Sequence, residues 1–306
     1  MHIAPRRRGT GRTVVLDRAL ERLPLFRLSD SADAAAISLT TDGGGRWRVL
    51  PSPGDRLPGT FDQDVYVELL HRYREAGAPA DGALTFTLHA FLRAIGRKVD
   101  GRNYELLRTS LCRLERTTLE SQGAYDSPGI RPDESDRSRF SILASVVIER
   151  RRATERSQLS LFPAMAGGEP GDVRAILGQA LRANLAAGQT STLILGKYLA
   201  LGSPVARRLY RLLAASAEPG AHVYRISLDR LAELLPLTQR YPSHLLRVLH
   251  PAHDQLAEAG IVQRTLARQD GRAWWLTYAL DGDGADGENG PDGSNGSNGS
   301  GETVAG

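Results

Sequence analysis

Between residues 240 and 272 the chain carries a run of side chains able to hold an anion: Arg240, Ser243, His244, Arg247 and His250, then Arg264, Arg268 and Arg272. Guanidinium forks, imidazoles and hydroxyls hydrogen-bond phosphate oxygens and base edges. The first five fall opposite an apolar stripe of Leu245, Leu249, Ala252 and Leu256, whose steps of four, three and four predict a helix. Pro242 suits its first position and Gly260 the residue just past its end. The last three fall in IVQRTLARQ and RAWWLTYAL, two runs rich in Val, Ile, Thr, Trp and Tyr around Asp270-Gly271. That dipeptide is a strong hairpin signal. A helix followed by a hairpin is the second half of a winged helix, and a basic helix face beside a basic hairpin suits a DNA groove and its phosphates.

A second set sits upstream. Tyr104, Leu107, Leu111 and Leu114 form the core stripe of a helix from about Arg102 to Arg116, leaving Arg102, Thr109, Cys112, Arg113 and Arg116 on the other face. Of these, Arg102, Thr109, Arg113 and Arg116 are candidate DNA contacts. A helix capped by Thr87 and the turn Val99-Asp100-Gly101 precede it; strands at Thr117 to Tyr125 and Phe140 to Glu149 follow. This again reads as a winged helix. Arg150, Arg151, Arg152 and Arg156 end that hairpin, either as a solvated linker or as phosphate contacts beside the wing.

Catalytic patterns are missing from the sequence. No two of the seven histidines are separated by a single residue, so a nicking enzyme's His-hydrophobe-His metal pair is not found. His250 and His253 are three apart on a helix, but no third ligand is evident. Gly196-Lys197 is followed by Tyr198 and has no glycine five residues before it, so it is not a Walker loop. The single cysteine, Cys112, excludes an intrachain disulfide framework. No cofactor or metal is expected.

The net charge of +4 understates the basic character of the folded part. Residues 281 to 306 hold six acids and no Lys or Arg, which leaves +10 on residues 1 to 280. A polyanion partner fits that balance. Lys98 and Lys197 are the only lysines; coding bias explains this better than a preference for guanidinium does. No apolar run approaches a membrane span and no apolar stretch follows Arg6-Arg7-Arg8, so a cytoplasmic protein without membrane partners is expected.

These elements give an α+β expectation: two tandem winged-helix domains with a flexible N-terminal arm and a disordered C-terminal tail. Residues 1–22 read as a basic arm, either solvated or inserted into a groove, 23–152 as the first domain, and 153–172 as a linker. Residues 173–280 read as the second domain, and 281–306 as an acidic Gly/Asn/Ser-rich tail too poor in apolar residues to bury a core. Thr60 to Gln63 reads as a capping box opening a helix closed by Gly77. SPVARRLYRLLAAS is a second amphipathic helix, capped by Ser203, and Ser227 caps LDRLAELL. Asp42 to Gly45 needs only to be a turn between two strands. Trp274 and Trp275 alternate across their strand, so one ring is core; the other is core, interface or base-stacking.

The order of FTLHAFLRAIGRKVDGRNYELLRTSLCRLERTTL, SPVARRLYRLLAAS and SHLLRVLHPAHDQLAEAGIV, with Pro251 inside the last helix, resembles the replication initiator protein A family over roughly residues 23 to 280. That family is related to the tandem winged-helix initiators of iteron plasmids. The resemblance implies sequence-specific binding to direct repeats in double-stranded origin DNA. It also implies help in opening that DNA, recruitment of host replication proteins, and autoregulation by a homodimer. Two other readings stay open: a winged-helix repressor, separable by an origin transformation assay, and a rolling-circle nickase, separable by metal-dependent cleavage of a supercoiled plasmid.

Overall fold

The computed structural model describes residues 12–29, 36–130, 136–149, 173–218, 220–239 and 241–280. The chain opens with β1 (Thr13–Asp17), α1 (Arg18–Glu21), β2 (Ile37–Thr40), β3 (Arg46–Leu50) and α2 (Thr60–Glu75). Next come β4 (Ala83–Phe86), α3 (Leu88–Ala94), α4 (Gly101–Arg116), β5 (Thr118–Gln122), β6 (Ser138–Phe140), β7 (Leu143–Ile148) and β8 (Val173–Leu177). Then follow α5 (Gln179–Ala186), β9 (Thr190–Ile194), α6 (Leu195–Ala200) and α7 (Pro204–Ser216). The last five are β10 (Val223–Ser227), α8 (Leu228–Leu234), α9 (Pro242–Glu258), β11 (Val262–Asp270) and β12 (Ala273–Leu280).

Two three-stranded antiparallel sheets have the same order, β4-β8-β7 and β10-β12-β11. Each follows the same sequence of parts, long helix, strand, two helices, then the two remaining strands, with β5 and β6 of another sheet inserted before the last two in the first. In each unit the long leading helix packs on the fourth element, α2 on α4 and α7 on α9. These are two winged helices. The corresponding caps are also built alike: Thr87 accepts from the Ala90 N–H at 3.0 Å and Ser227 from the Arg230 N–H at 3.3 Å.

The first wing differs from the sequence expectation. Strand β5 pairs with β6 and with β3, in a separate sheet of order β2-β3-β5-β6. The wing strands are instead β7 and β8, paired from Leu143↔Leu177 to Ile148↔Val173. Residues 153–172, read as an interdomain linker, therefore stand between two strands of one sheet, and Val173–Leu177 completes the first winged helix. Those linker residues, like Arg150, Arg151, Arg152 and Arg156, lie outside the described residues, as do residues 1–11 and 281–306.

The arm is shorter than expected. Val14 and Leu16 are fully buried, and β1 pairs antiparallel with β9, from Thr13↔Ile194 to Asp17↔Thr190. Two smaller corrections concern local signals. Gly59, not Thr60, is the N-cap of α2: the Asp62 carboxylate accepts from the Gly59 N–H at 2.6 Å, and Gln63 is buried elsewhere. The second wing turns at Gly271-Arg272, since Asp270 still pairs with Ala273; Gly271 has φ +60°, as the first central residue of a II′ turn requires.

Buried charges join the two halves. The Glu21 carboxylate lies 3.4 Å from Arg208 Nη1 and 3.3 Å from Arg211 Nη1, all three side chains being buried. Arg211 also donates to Gln63 of α2 at 3.1 Å. Asp64, on the same helix, accepts from Arg207 at 2.5 Å, Arg97 at 3.3 Å and the Tyr198 hydroxyl at 3.0 Å. Burial pushes the Arg208 guanidinium down to about 10, with Arg211 adding to it. Asp17 caps α1 and accepts from Tyr125 at 2.6 Å and Asn184 at 3.0 Å. Among the described residues, no helix is long and apolar enough to cross a membrane.

Candidate nucleic-acid interface

Helix α9 is placed by its stripe. Leu245, Leu249, Ala252 and Leu256 are buried, which fixes the opposite face. Ser243, His244, Arg247 and His250 are all exposed there. Pro242 starts the helix at its first turn, where a missing N–H has no helical acceptor to lose. Tyr241, 69% exposed, stands at the same end with its ring edge-on to His244 at 5.7 Å. Pro251 lies within the helix; lacking an N–H, it leaves the Arg247 carbonyl without its usual i+4 donor. Arg240 lies outside the described residues.

The two histidines of α9 have different surroundings. His250 is exposed and its Nδ1 lies 2.9 Å from Asp254 Oδ2. His253 turns inward and shares a 3.0 Å hydrogen bond with the Tyr278 hydroxyl of β12. Burial pushes its imidazole down to about 4, and the neighbouring His250 pushes the same way. His253 therefore anchors the helix to the sheet as a neutral ring. Among the described residues, no three His, Cys, Asp or Glu side chains are grouped to hold a metal ion.

The wing supplies the second part of the surface. Arg264 and Arg268 on β11 and Arg272 in the turn are exposed. Arg247, Arg264, Arg268 and Arg272 make no ion pair within 4.0 Å among the described residues. A cation left without an internal carboxylate is available to an external anion.

The α4 face divides. Arg102, Thr109 and Arg116 are exposed, as the helical spacing predicts. Arg113 is not a surface group: it is 5% exposed and its Nη1 meets both Asp62 oxygens, at 2.8 and 2.9 Å, while its Nε meets Asp55 at 3.4 Å. Its expected role as a DNA contact is therefore corrected: it ties α4 to α2. Cys112 is half-buried. Ser243, His244, Arg247 and His250 thus lie exposed on α9, and Arg264, Arg268 and Arg272 lie exposed on the wing that follows it. Arg102, Thr109 and Arg116 form a separate face on the first winged helix.

The sequence pattern missed Arg225. It lies on β10, whose guanidinium sits 4.4 Å over the Trp275 ring. Strand alternation around Ile226 would have found it, since Ile226 is buried and its neighbours must face the other way.

A family model described as replication initiator protein A matches residues 16–236. The match stops before α9 and the second wing, so the reading of those elements stands on their geometry. Among solved structures, domains 2 and 3 of RctB are similar, with a TM-score of 0.56, 12% identity, and coverage of 87% of this chain and 99% of that one. At that identity the likeness is one of fold. The Pi initiator protein, solved in complex with iteron DNA, has a TM-score of 0.46 and 12% identity, covering 90% of this chain and 100% of that one. No curated protein matches the sequence.

Proposed function

This chain belongs to the replication initiator protein A family, and from that premise we propose that it binds repeated sites in double-stranded origin DNA, with α9 in a major groove and the wing on the flanking phosphates. The observation that carries the reading is the exposed row Ser243, His244, Arg247 and His250 on α9, followed by a wing whose Arg264, Arg268 and Arg272 are exposed and make no ion pair among the described residues. In helix-turn-helix docking the N-terminal residues of the second helix contact base edges, and Arg247 has the reach and the fork for a guanine. The exposed Arg102, Thr109 and Arg116 support a second, weaker contact through α4. The protein acts as a binder in this reading. The family resemblance further implies that it helps open origin DNA, recruits host replication proteins, works in the cytoplasm and regulates its own gene as a homodimer.

Footprinting on DNA flanking the gene tests this reading. Protection confined to direct repeats is the expected result; protection of no defined sequence overturns it. Transformation with a plasmid carrying those repeats separates an initiator from a repressor. The gene is required for replication in the first case and dispensable in the second.

A further inference from the structure

The second winged helix has another face. Leu276 and Tyr278 of β12 point into the core, where His253 of α9 meets Tyr278. Trp275 and Thr277 therefore point to the opposite side of the sheet. Register places Arg268 beside Trp275, Leu266 beside Thr277 and, across β10, Arg225 beside Thr277. Arg225, Trp275, Arg264, Leu266 and Arg268 thus share one outer face, directed away from the helices. Leu266 is 45% exposed there. Arg225 is 56% exposed although its Cζ sits 4.4 Å from the Trp275 ring centroid. Among the described residues one carboxylate belongs to this face, Asp270, 4.0 Å from Arg225 and itself 73% exposed.

We propose that this outer face, built on the Arg225–Trp275 stack, is a second nucleic-acid surface that holds an unpaired DNA strand. A guanidinium backed by an indole presents one open planar face, on which a base can stack. Bases inside a duplex have both faces covered by their neighbours, so a stacking platform selects unpaired bases. Three arginines against one exposed carboxylate select a polyanion, and Arg264 and Arg268 flank the stack where a backbone would run. The α9 row lies on the other side of the same module; Arg264 and Arg268 are shared with the wing assigned to duplex phosphates, whereas Arg225 and Trp275 belong to this face alone. The inference rests on the reading of the chain as a DNA binder but uses none of the groove-reading residues.

The test is fluorescence anisotropy of a labelled oligothymidine with the full chain at low salt, beside a labelled duplex repeat. Oligothymidine binding is expected, with Trp275→Ala weakening it about tenfold, the effect of losing one stacked base. Trp275→Phe retains the stacking surface and most of the affinity, and duplex binding is unchanged in both variants. A chain that does not bind oligothymidine, or binds it equally well as Trp275→Ala, overturns the proposal. So does a Trp275→Ala protein whose sedimentation shifts while its oligothymidine affinity holds, since the face is then a contact between copies. A chain that binds oligothymidine through Trp275 but recognises no duplex repeat leaves this proposal standing and overturns the duplex reading instead.

Discussion

Arg113 of α4 grips both carboxylate oxygens of Asp62 on α2, at 2.8 and 2.9 Å, and both side chains are buried. The pair locks the leading helix of the first winged helix to its fourth element. Removing Arg113 leaves the Asp62 charge buried and uncompensated, a loss of about 3–5 kcal/mol. Arg113→Ala is expected to lower the thermal midpoint steeply, whereas Arg102→Ala, on the exposed end of the same helix, changes stability by less than about 0.5 kcal/mol. Equal, small effects in denaturant titrations of the two variants contradict this assignment.

The seam between the halves predicts a shared unfolding transition. Glu21 neutralises Arg208 and Arg211, and Arg211 also reaches Gln63 on the opposite helix. Glu21→Ala leaves two guanidinium groups buried without a counter-charge, and a loss of at least about 3 kcal/mol is expected. Calorimetry of the wild-type chain should give one transition. Two separate transitions in the wild type, or a Glu21→Ala midpoint within error of it, show that the seam does not couple the halves.

Two buried groups give pH dependences of opposite sign. His253 is pushed down to about 4, chiefly by burial beside Tyr278, with His250 lowering it and Asp254 opposing. A depressed base stabilises the fold above its ordinary value and loses that contribution as pH falls from about 6.5 towards 4. Glu68 is pushed up to about 7 by burial, which outweighs the attraction of Arg72 at 2.7 Å. A raised acid favours the fold below its ordinary value and loses that contribution as pH rises from about 4.5 to 7. Thermal midpoints measured from pH 4.5 to 8 should fall less in acid for His253→Gln than for the wild type. Glu68→Gln should gain most over the wild type at pH 8. A wild-type profile parallel to both variants removes these groups from the pH response.

The second winged helix was legible because its signals are local. The stripe Leu245 to Leu256 sets the face of α9, and β11 and β12 are joined by a two-residue turn. The first wing was not, because β7 and β8 are separated by a long intervening segment and β5 and β6 offer a nearer pairing. Arg113 shows the same limit for side chains. Helical spacing puts it on the polar face of α4, and only its meeting with Asp62, 51 residues away, makes that position buried. The strand β1 was hidden for the same reason, its partner β9 lying in the other half of the chain.

Residues 281–306 remove six positive charges' worth of attraction from the rest of the chain at long range. Truncation after Leu280 is expected to leave the thermal midpoint unchanged and duplex affinity equal or higher, most visibly at low salt. A marked loss of stability or affinity on truncation shows that these residues take part in the fold or the contact.

The central claim is that α9 reads bases while the wing holds phosphates, and paired binding titrations on a repeat and on its scrambled version, across several salt concentrations, test it most directly. Arg247→Ala is expected to cost about 1–3 kcal/mol on the repeat and little on the scrambled duplex. Arg268→Ala should weaken both alike and flatten the salt dependence by about one unit. If Arg247→Ala instead lowers both affinities equally, α9 is a backbone clamp and the reading of sequence lies elsewhere on the molecule.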